Sequence, residues 1–246
     1  MKCPGQDSRY WSGEDVFEAE CPNCGHSVEF FKDDSQHKCR KCGHRMLNPK
    51  MDFGCASYCP HAEQCLGSMP PELIAKQGDL FKDRVSIAMR KYFDSDSRRI
   101  KHALDVAGHA ETIGKEQKGG DMMVIMAAAL LHDIGIKNAE IKHNSSSAKY
   151  QHIEGPPVAK EILSELKAPQ ELVEEVCDII GHHHSPRDEE TINFKVLYDA
   201  DLIVNMTELY KQKPHTQEQL EKILASSFMT EAGAQESRKT LEKFIQ

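Results

Sequence analysis

One stretch constrains this chain more than any other: residues 122–137, MMVIMAAALLHDIGIK. It opens with an unbroken apolar run from Met122 to Leu131 and then meets the adjacent pair His132 and Asp133. A segment this apolar reads as a helix buried on every side. Burying two ionisable residues at its end is costly unless each is paired or bound to a metal. The doublet therefore demands partners from elsewhere in the chain. Asp121 is placed to cap the start of the run, and Gly135 to follow its end as a C-cap glycine.

From Leu80 to the C-terminus, apolar residues recur at spacings of three and four, with no strand alternation. The pattern predicts helices over 83–93, 99–114, 122–131, 154–166, 170–182, 192–210, 216–226 and 231–245. Pro156 and Pro157 are expected in the first turn of the fourth, where proline is tolerated. This gives an all-α domain over 80–246. Its candidate partners for the doublet stand at helix ends or on apolar faces. They are His102, His152, the triplet His182, His183 and His184, and Asp201 within LYDADLIVNM. Taken singly, each reads as an ordinary core or surface residue. Together, imidazoles and carboxylates in the order H…HD…H…HH…D suit zinc, iron, manganese or nickel.

The first quarter follows different rules. The chain has nine cysteines, and eight of them, at 3, 21, 24, 39, 42, 55, 59 and 65, precede residue 66. A disulfide framework normally accompanies a secretory leader, and MKCPGQDSRYW lacks the apolar stretch that one needs. Metal is the expectation. Cys21, Cys24, Cys39 and Cys42 form two CxxCG knuckles, whose four thiolates suit one structural zinc in a ribbon over 19–47. A strand is expected over 27–32, ahead of a turn at 33–35. Cys55, Cys59 and Cys65, with Cys3, fit either a 4Fe–4S cluster or a second zinc, with His61 as an alternative fourth ligand. The Cys-rich region thus spans 1–68, and 69–79, with its Pro70-Pro71, reads as a linker.

A net charge of −8 argues against general attraction to nucleic acid or anionic membrane, although the second knuckle is locally basic. The longest apolar run, ten residues, is too short to span a bilayer. A cytoplasmic protein is expected.

Over residues 82–212 the chain resembles the HD-domain metal-dependent phosphohydrolases. The resemblance rests on His102, on His132 and Asp133 in LLHDIG, and on Asp201 in DADL. Two further matches, His152 in QHIEGPPVAKEIL and His182 in IIGHHHSP, are those of the family's binuclear branch. That branch includes HD-GYP cyclic-dinucleotide phosphodiesterases and symmetrical diadenosine-tetraphosphate hydrolases. The resemblance implies two divalent metals (iron, manganese, nickel or zinc), with Asp133 bridging them and His152 and His182 on the second ion. His183 is a further ligand or acid–base group, and a metal-bridging hydroxide attacks a phosphate ester or phosphodiester. Lys137, Lys142 and Arg187 are the candidate phosphate contacts.

The departures from the family are specific. His184-Ser185-Pro186-Arg187 stands where HD-GYP proteins carry GYP, and the lysine of HDIGK is moved one place to Lys137. Arg98 occupies the position of a glutamate that gives some members a third metal. Two metals and a substrate other than cyclic-di-GMP are therefore expected. The expected partner is a small phosphorylated or nucleotide substrate, with nucleic acid less favoured and no membrane. The same six-ligand set also occurs in mixed-valent di-iron oxygenases of this fold, and a metal- or redox-responsive regulatory module is a third reading.

Overall fold

Each CxxCG motif closes a hairpin. In the computed structural model, which describes residues 16–31, 34, 36–50, 71–213 and 216–245, β1 (Val16–Glu20) pairs antiparallel with β2 (Ser27–Phe31). In the same way β3 (Gln36–Lys38) pairs with β4 (Arg45–Leu47). The knuckles fill the two turns. Gly25 and Gly43 take φ of +66° and +75°, the left-handed region that glycine enters without steric cost. Their N–H groups donate to the carbonyls of Cys21 and Cys39 at 2.8 and 2.9 Å. Phe30, Val28 and Met46 are buried with Cys21 and Cys39, and Phe17 stacks on Phe30 at 5.8 Å. So small a core needs an added cross-link to hold. Asn48 ties the hairpins together, donating to the carbonyls of Phe31 and Asp34 at 3.1 and 2.9 Å.

The chain divides into two compact units, Met1–Leu80 and Phe81–Gln246. Helix α1 (Pro71–Phe93) begins inside the stretch expected to be a linker, which is therefore helical from Pro71 onward. A proline at the first helical position suits helix initiation, and Gly78 alone does not stop propagation. The helices that follow are α2 (Ser97–Glu116), α3 (Met122–Leu131), α4 (Ile136–His143), α5 (Ala148–Glu165) and α6 (Gln170–Ile180). After them come α7 (Ile192–Gln212), α8 (Gln217–Ser226), α9 (Glu231–Leu241) and a 3-10 turn, Glu242–Phe244.

Helix α3 is the axle of this unit. Every residue from Val124 to Leu131 is buried, and the helix packs against α2, α6 and α7. Three consecutive alanines, 127–129, keep it thin enough for those neighbours to close in. Asp121 caps it as expected, accepting from the N–H groups of Met123 and Val124 at 2.8 and 3.4 Å. Met122–His143 is long and apolar enough for a membrane span, yet 67% of that window is buried in the fold, as in a core helix.

Two sequence expectations change here. Gly135 is not a left-handed C-cap, since its φ is −72°. A Cβ there would lie 2.5 Å from the Gly155 nitrogen and 2.6 Å from the Gln151 carbonyl, so glycine is required for close backbone approach. Helix α5 starts at Ala148, ahead of the expected Glu154, and Pro156 and Pro157 sit inside it. Each proline removes a helical N–H, at a cost of about 3 kcal/mol in an ordinary helix. The helix persists because its flanks are buried, with Gln151, Glu154, Gly155, Val158 and Ala159 all packed inward.

Asp199 fixes the far end. It is fully buried and accepts from the Met229 N–H, the Thr230 N–H and the Thr230 hydroxyl at 2.8, 2.9 and 2.7 Å. This carboxylate clamps α7 to the start of α9 and so sets the rotation of the helix that carries Asp201.

Candidate metal centre

Four elements deliver the site. His102 comes from the middle of α2, His132 caps the C-terminal end of α3, and Asp133 follows in the turn. Asp201 comes from α7, and His183 and His184 come from the turn after α6. They form two groups. In the first, the His102 Nε2 lies 3.1 Å from Asp201 Oδ1 and 3.3 Å from His132 Nε2. Donors about 2.1 Å from one ion lie roughly 3.0–3.4 Å from each other, so this spacing suits a shared cation. The second group is Asp133, His183 and His184, with the His183 Nε2 at 3.7 Å from Asp133 Oδ1. Asp133 faces both: its Oδ2 is 3.6 Å from His132 Nε2 and 3.8 Å from His102 Nε2.

The rings are oriented from behind. The Nδ1–H of His132 donates to the Ala129 carbonyl at 2.8 Å, and that of His183 to the Ile180 carbonyl at 2.9 Å. A carbonyl can only accept, so in each neutral ring Nε2 carries the lone pair and points at the centre. The His183 Nε2 is buried and has no hydrogen-bond partner. An orphaned acceptor aimed at a carboxylate is unfavourable in itself and becomes favourable when a cation lies between them.

Electrostatics agree with that donor set. Burial, then the neighbouring His183, pushes His184 down to about 4. Burial also lowers His132, with His183 and His102 adding to it, and lowers His152. Burial would raise Asp133, but His132, His183 and His102 outweigh it and hold the carboxyl well below the usual range. Burial opposes the charged form of His102 too, yet its hydrogen bond to Asp201 raises it overall. The lone pairs of His132, His152 and His184 and the carboxylates of Asp133 and Asp201 are thus ready for a metal at neutral pH, and a cation would displace the proton that Asp201 favours on His102. A cleft of about 500 Å³ opens onto these residues, lined also by Asp96, Arg98, Arg99, Gln151, Asn205 and Glu208.

The sequence profile described as HD domain matches residues 99–206, the span that contributes every one of these donors. The helical unit is an HD domain. Among solved structures it is similar to a predicted HD superfamily hydrolase from an uncultured Thermotogales bacterium, at 22% identity and a TM-score of 0.48. That alignment covers 65% of this chain and 84% of the other. No curated protein matches the chain.

Within the HD domain, His102, His132 and Asp201 come together in one group and Asp133 and His183 in the other. His152 stands beside the second group, its ring 5.3 Å from that of His183, and its Nε2 accepts from the His184 N–H at 3.4 Å. His182 does not join either group. Its Nδ1–H donates to the Asp178 carbonyl at 2.5 Å, its Nε2 meets Glu190 Oε1 at 3.0 Å, and its ring stacks on Phe194. His184 takes the place assigned to it; the triplet was the signal, and the turn at Gly181 decides the register.

The expected phosphate contacts are all engaged elsewhere. Lys137 donates to the Tyr92 carbonyl at 2.8 Å, closing the end of α1, and Lys142 pairs with Glu154 at 2.6 Å. Arg187 forks onto Asp178 at 2.9 and 2.7 Å. None of the three lines the cleft. The arginines that do, Arg98 and Arg99, were legible from spacing: Arg98 is four residues before His102, hence on the same face of α2.

In the other unit, Cys21 and Cys42 bring their sulfurs to 3.6 Å, and Cys24 and Cys39 to 3.7 Å. Sulfurs about 2.3 Å from a tetrahedral zinc lie roughly 3.8 Å apart, so the four could hold one ion. Cys3, Cys55, Cys59 and Cys65 lie outside the described residues.

Proposed function

We propose that this protein is a metal-dependent phosphohydrolase acting on a phosphate ester or phosphodiester of nucleotide type, with two divalent ions in the HD domain and a structural zinc on the four cysteines. The buried, unpartnered His183 Nε2 facing Asp133 carries the reading. It makes a second metal position next to the His102, His132 and Asp201 group, with Asp133 placed to serve both.

Divalent ions there would supply Lewis acidity and a water whose pKa falls from about 15.7 towards 7. The chain's own residues do the rest. His132 and His183 keep their donor atoms fixed through backbone hydrogen bonds, so the site needs little reorganisation on loading. Asp133 stays ionised and cannot act as a general acid near neutral pH. His184, held neutral, offers a lone pair rather than a proton. The described lining of the cleft contains four carboxylates (Asp96, Asp133, Asp201 and Glu208) and two guanidiniums (Arg98 and Arg99). Two bound divalent ions would turn that negative lining positive, so an anionic substrate and metal dependence go together.

The test is hydrolysis of phosphomonoesters, nucleotides and phosphodiesters by protein stripped and reloaded with manganese, iron, nickel or zinc. We expect metal-dependent phosphate release that His132→Ala and Asp133→Ala each abolish along with metal binding. Wild-type-like turnover by either variant would remove the proposal.

A further inference from the structure

We propose that Arg98 anchors the substrate through a terminal phosphate, so that the cleft prefers phosphomonoesters and nucleoside phosphates over diesters without one. This deepens the phosphohydrolase reading and rests on it. Arg98 and Arg99 are adjacent in the first turn of α2, and both line the cleft that holds His102, Asp133 and Asp201. Their situations differ. The Arg99 guanidinium is spoken for, with Nη1 at 2.9 Å from Asp96 and Nη2 at 2.5 Å from Glu140. It locks the cap of α2 to α4. Arg98 makes no ion pair with any described residue and is exposed to the cleft.

Two things make that free guanidinium informative. A cation in the first turn opposes the helix dipole, and the acidic residue at that end of α2, the N-cap Asp96, pairs with Arg99 and not with Arg98. Arg98 thus gives the fold nothing that its own helix rewards. It also sits one turn before His102 on the same face, within side-chain reach of whatever group the HD site holds. A guanidinium offers a planar fork of N–H donors matched to phosphate oxygens. With two divalent ions bound, the lining carries two positive charges in excess, one of them on Arg98, which suits a dianionic terminal phosphate better than a monoanionic diester.

The experiment uses the metal-loaded full chain and its Arg98→Ala and Arg98→Gln variants. Inorganic phosphate binding is measured by titration calorimetry, alongside KM and kcat for a phosphomonoester and a diester, metal content and Tm. We expect phosphate affinity to fall roughly 10- to 100-fold, the loss of a charged, two-pronged hydrogen bond. KM for the monoester should rise more than kcat falls, and the diester should be affected less. Metal content should stay unchanged and Tm should stay level or rise. Wild-type phosphate affinity in the variants, or no measurable phosphate binding by the wild type, would overturn the proposal. A falling Tm or lost metal would do so too, by making Arg98 a structural residue. Phosphate binding that needs Arg98 without hydrolysis of any phosphorylated compound would sink the hydrolase reading and leave the anchor standing.

Discussion

His182 and His183 are neighbours in sequence with opposite tasks, and their hydrogen bonds say so. Both rings donate Nδ1–H to a backbone carbonyl of α6, Asp178 for one and Ile180 for the other. The difference lies at Nε2. That of His182 meets Glu190 at 3.0 Å, whereas that of His183 is buried with no partner except the space shared with Asp133. Replacing His183 by alanine should therefore cut the metal content of the HD domain from two equivalents to one. Replacing His182 by alanine should leave metal content unchanged and destabilise the protein by about 1–3 kcal/mol, because the Glu190 carboxylate loses its imidazole partner and keeps only the Arg187 N–H. Metal analysis after dialysis, paired with denaturant unfolding, checks both. Equal metal loss in the two variants would contradict the assignment. No sequence pattern could have separated these residues, since a run of three histidines contains no information about where the turn after α6 falls. The doublet at 132–133 was legible because its apolar approach left ionisable groups with nowhere else to go.

The elements were read well where periodicity or capping sets them and less well where backbone meets backbone. Asp121 caps α3 as expected, Asp96 and Thr216 cap α2 and α8, and the two knuckle glycines take left-handed turns. Gly135 shows what periodicity misses. Its value is the absence of a side chain where the turn after Asp133 crosses α5, and that crossing depends on a contact with Gly155, twenty residues away. The start of α5 was hidden as well, because Pro156 and Pro157 sit inside the helix and not in its first turn. We expect Gly135→Ala to destabilise the HD domain by about 1–3 kcal/mol, as overpacking does when the obstructing atoms are backbone and cannot rotate away. The displaced turn carries Asp133, so metal affinity should fall together with stability in the same variant. A Gly135→Ala protein with an unchanged unfolding midpoint would mean that the α5 backbone yields freely there.

At the scale of the whole molecule, the two units are stabilised by different physics. The HD domain has a continuous apolar core running from Phe81 to Ala232, with α3 at its centre, and its metal ligands sit at the rim of that core. Among the described residues of the Cys-bearing unit, the apolar core is Cys21, Val28, Phe30, Cys39 and Met46, so two of those five are themselves ligand candidates. Hydrophobic burial alone cannot hold two short hairpins, and a metal that binds only the folded form supplies the difference. Chelation should therefore act in two distinguishable ways. A strong chelator should unfold residues 16–50, opening them to limited proteolysis and making the thiols of Cys21, Cys24, Cys39 and Cys42 titratable together. The helical far-UV signal should persist, and the HD domain should lose only the part of its melting temperature that bound metal contributes by mass action. Adding zinc back should protect 16–50, whereas a metal that thiolates bind poorly, such as manganese, should restore the HD domain's melting temperature and leave the cysteines reactive. Collapse of the helical signal on removal of the thiolate-bound metal alone would show that the helical core depends on the hairpins, against the separate cores seen in each unit.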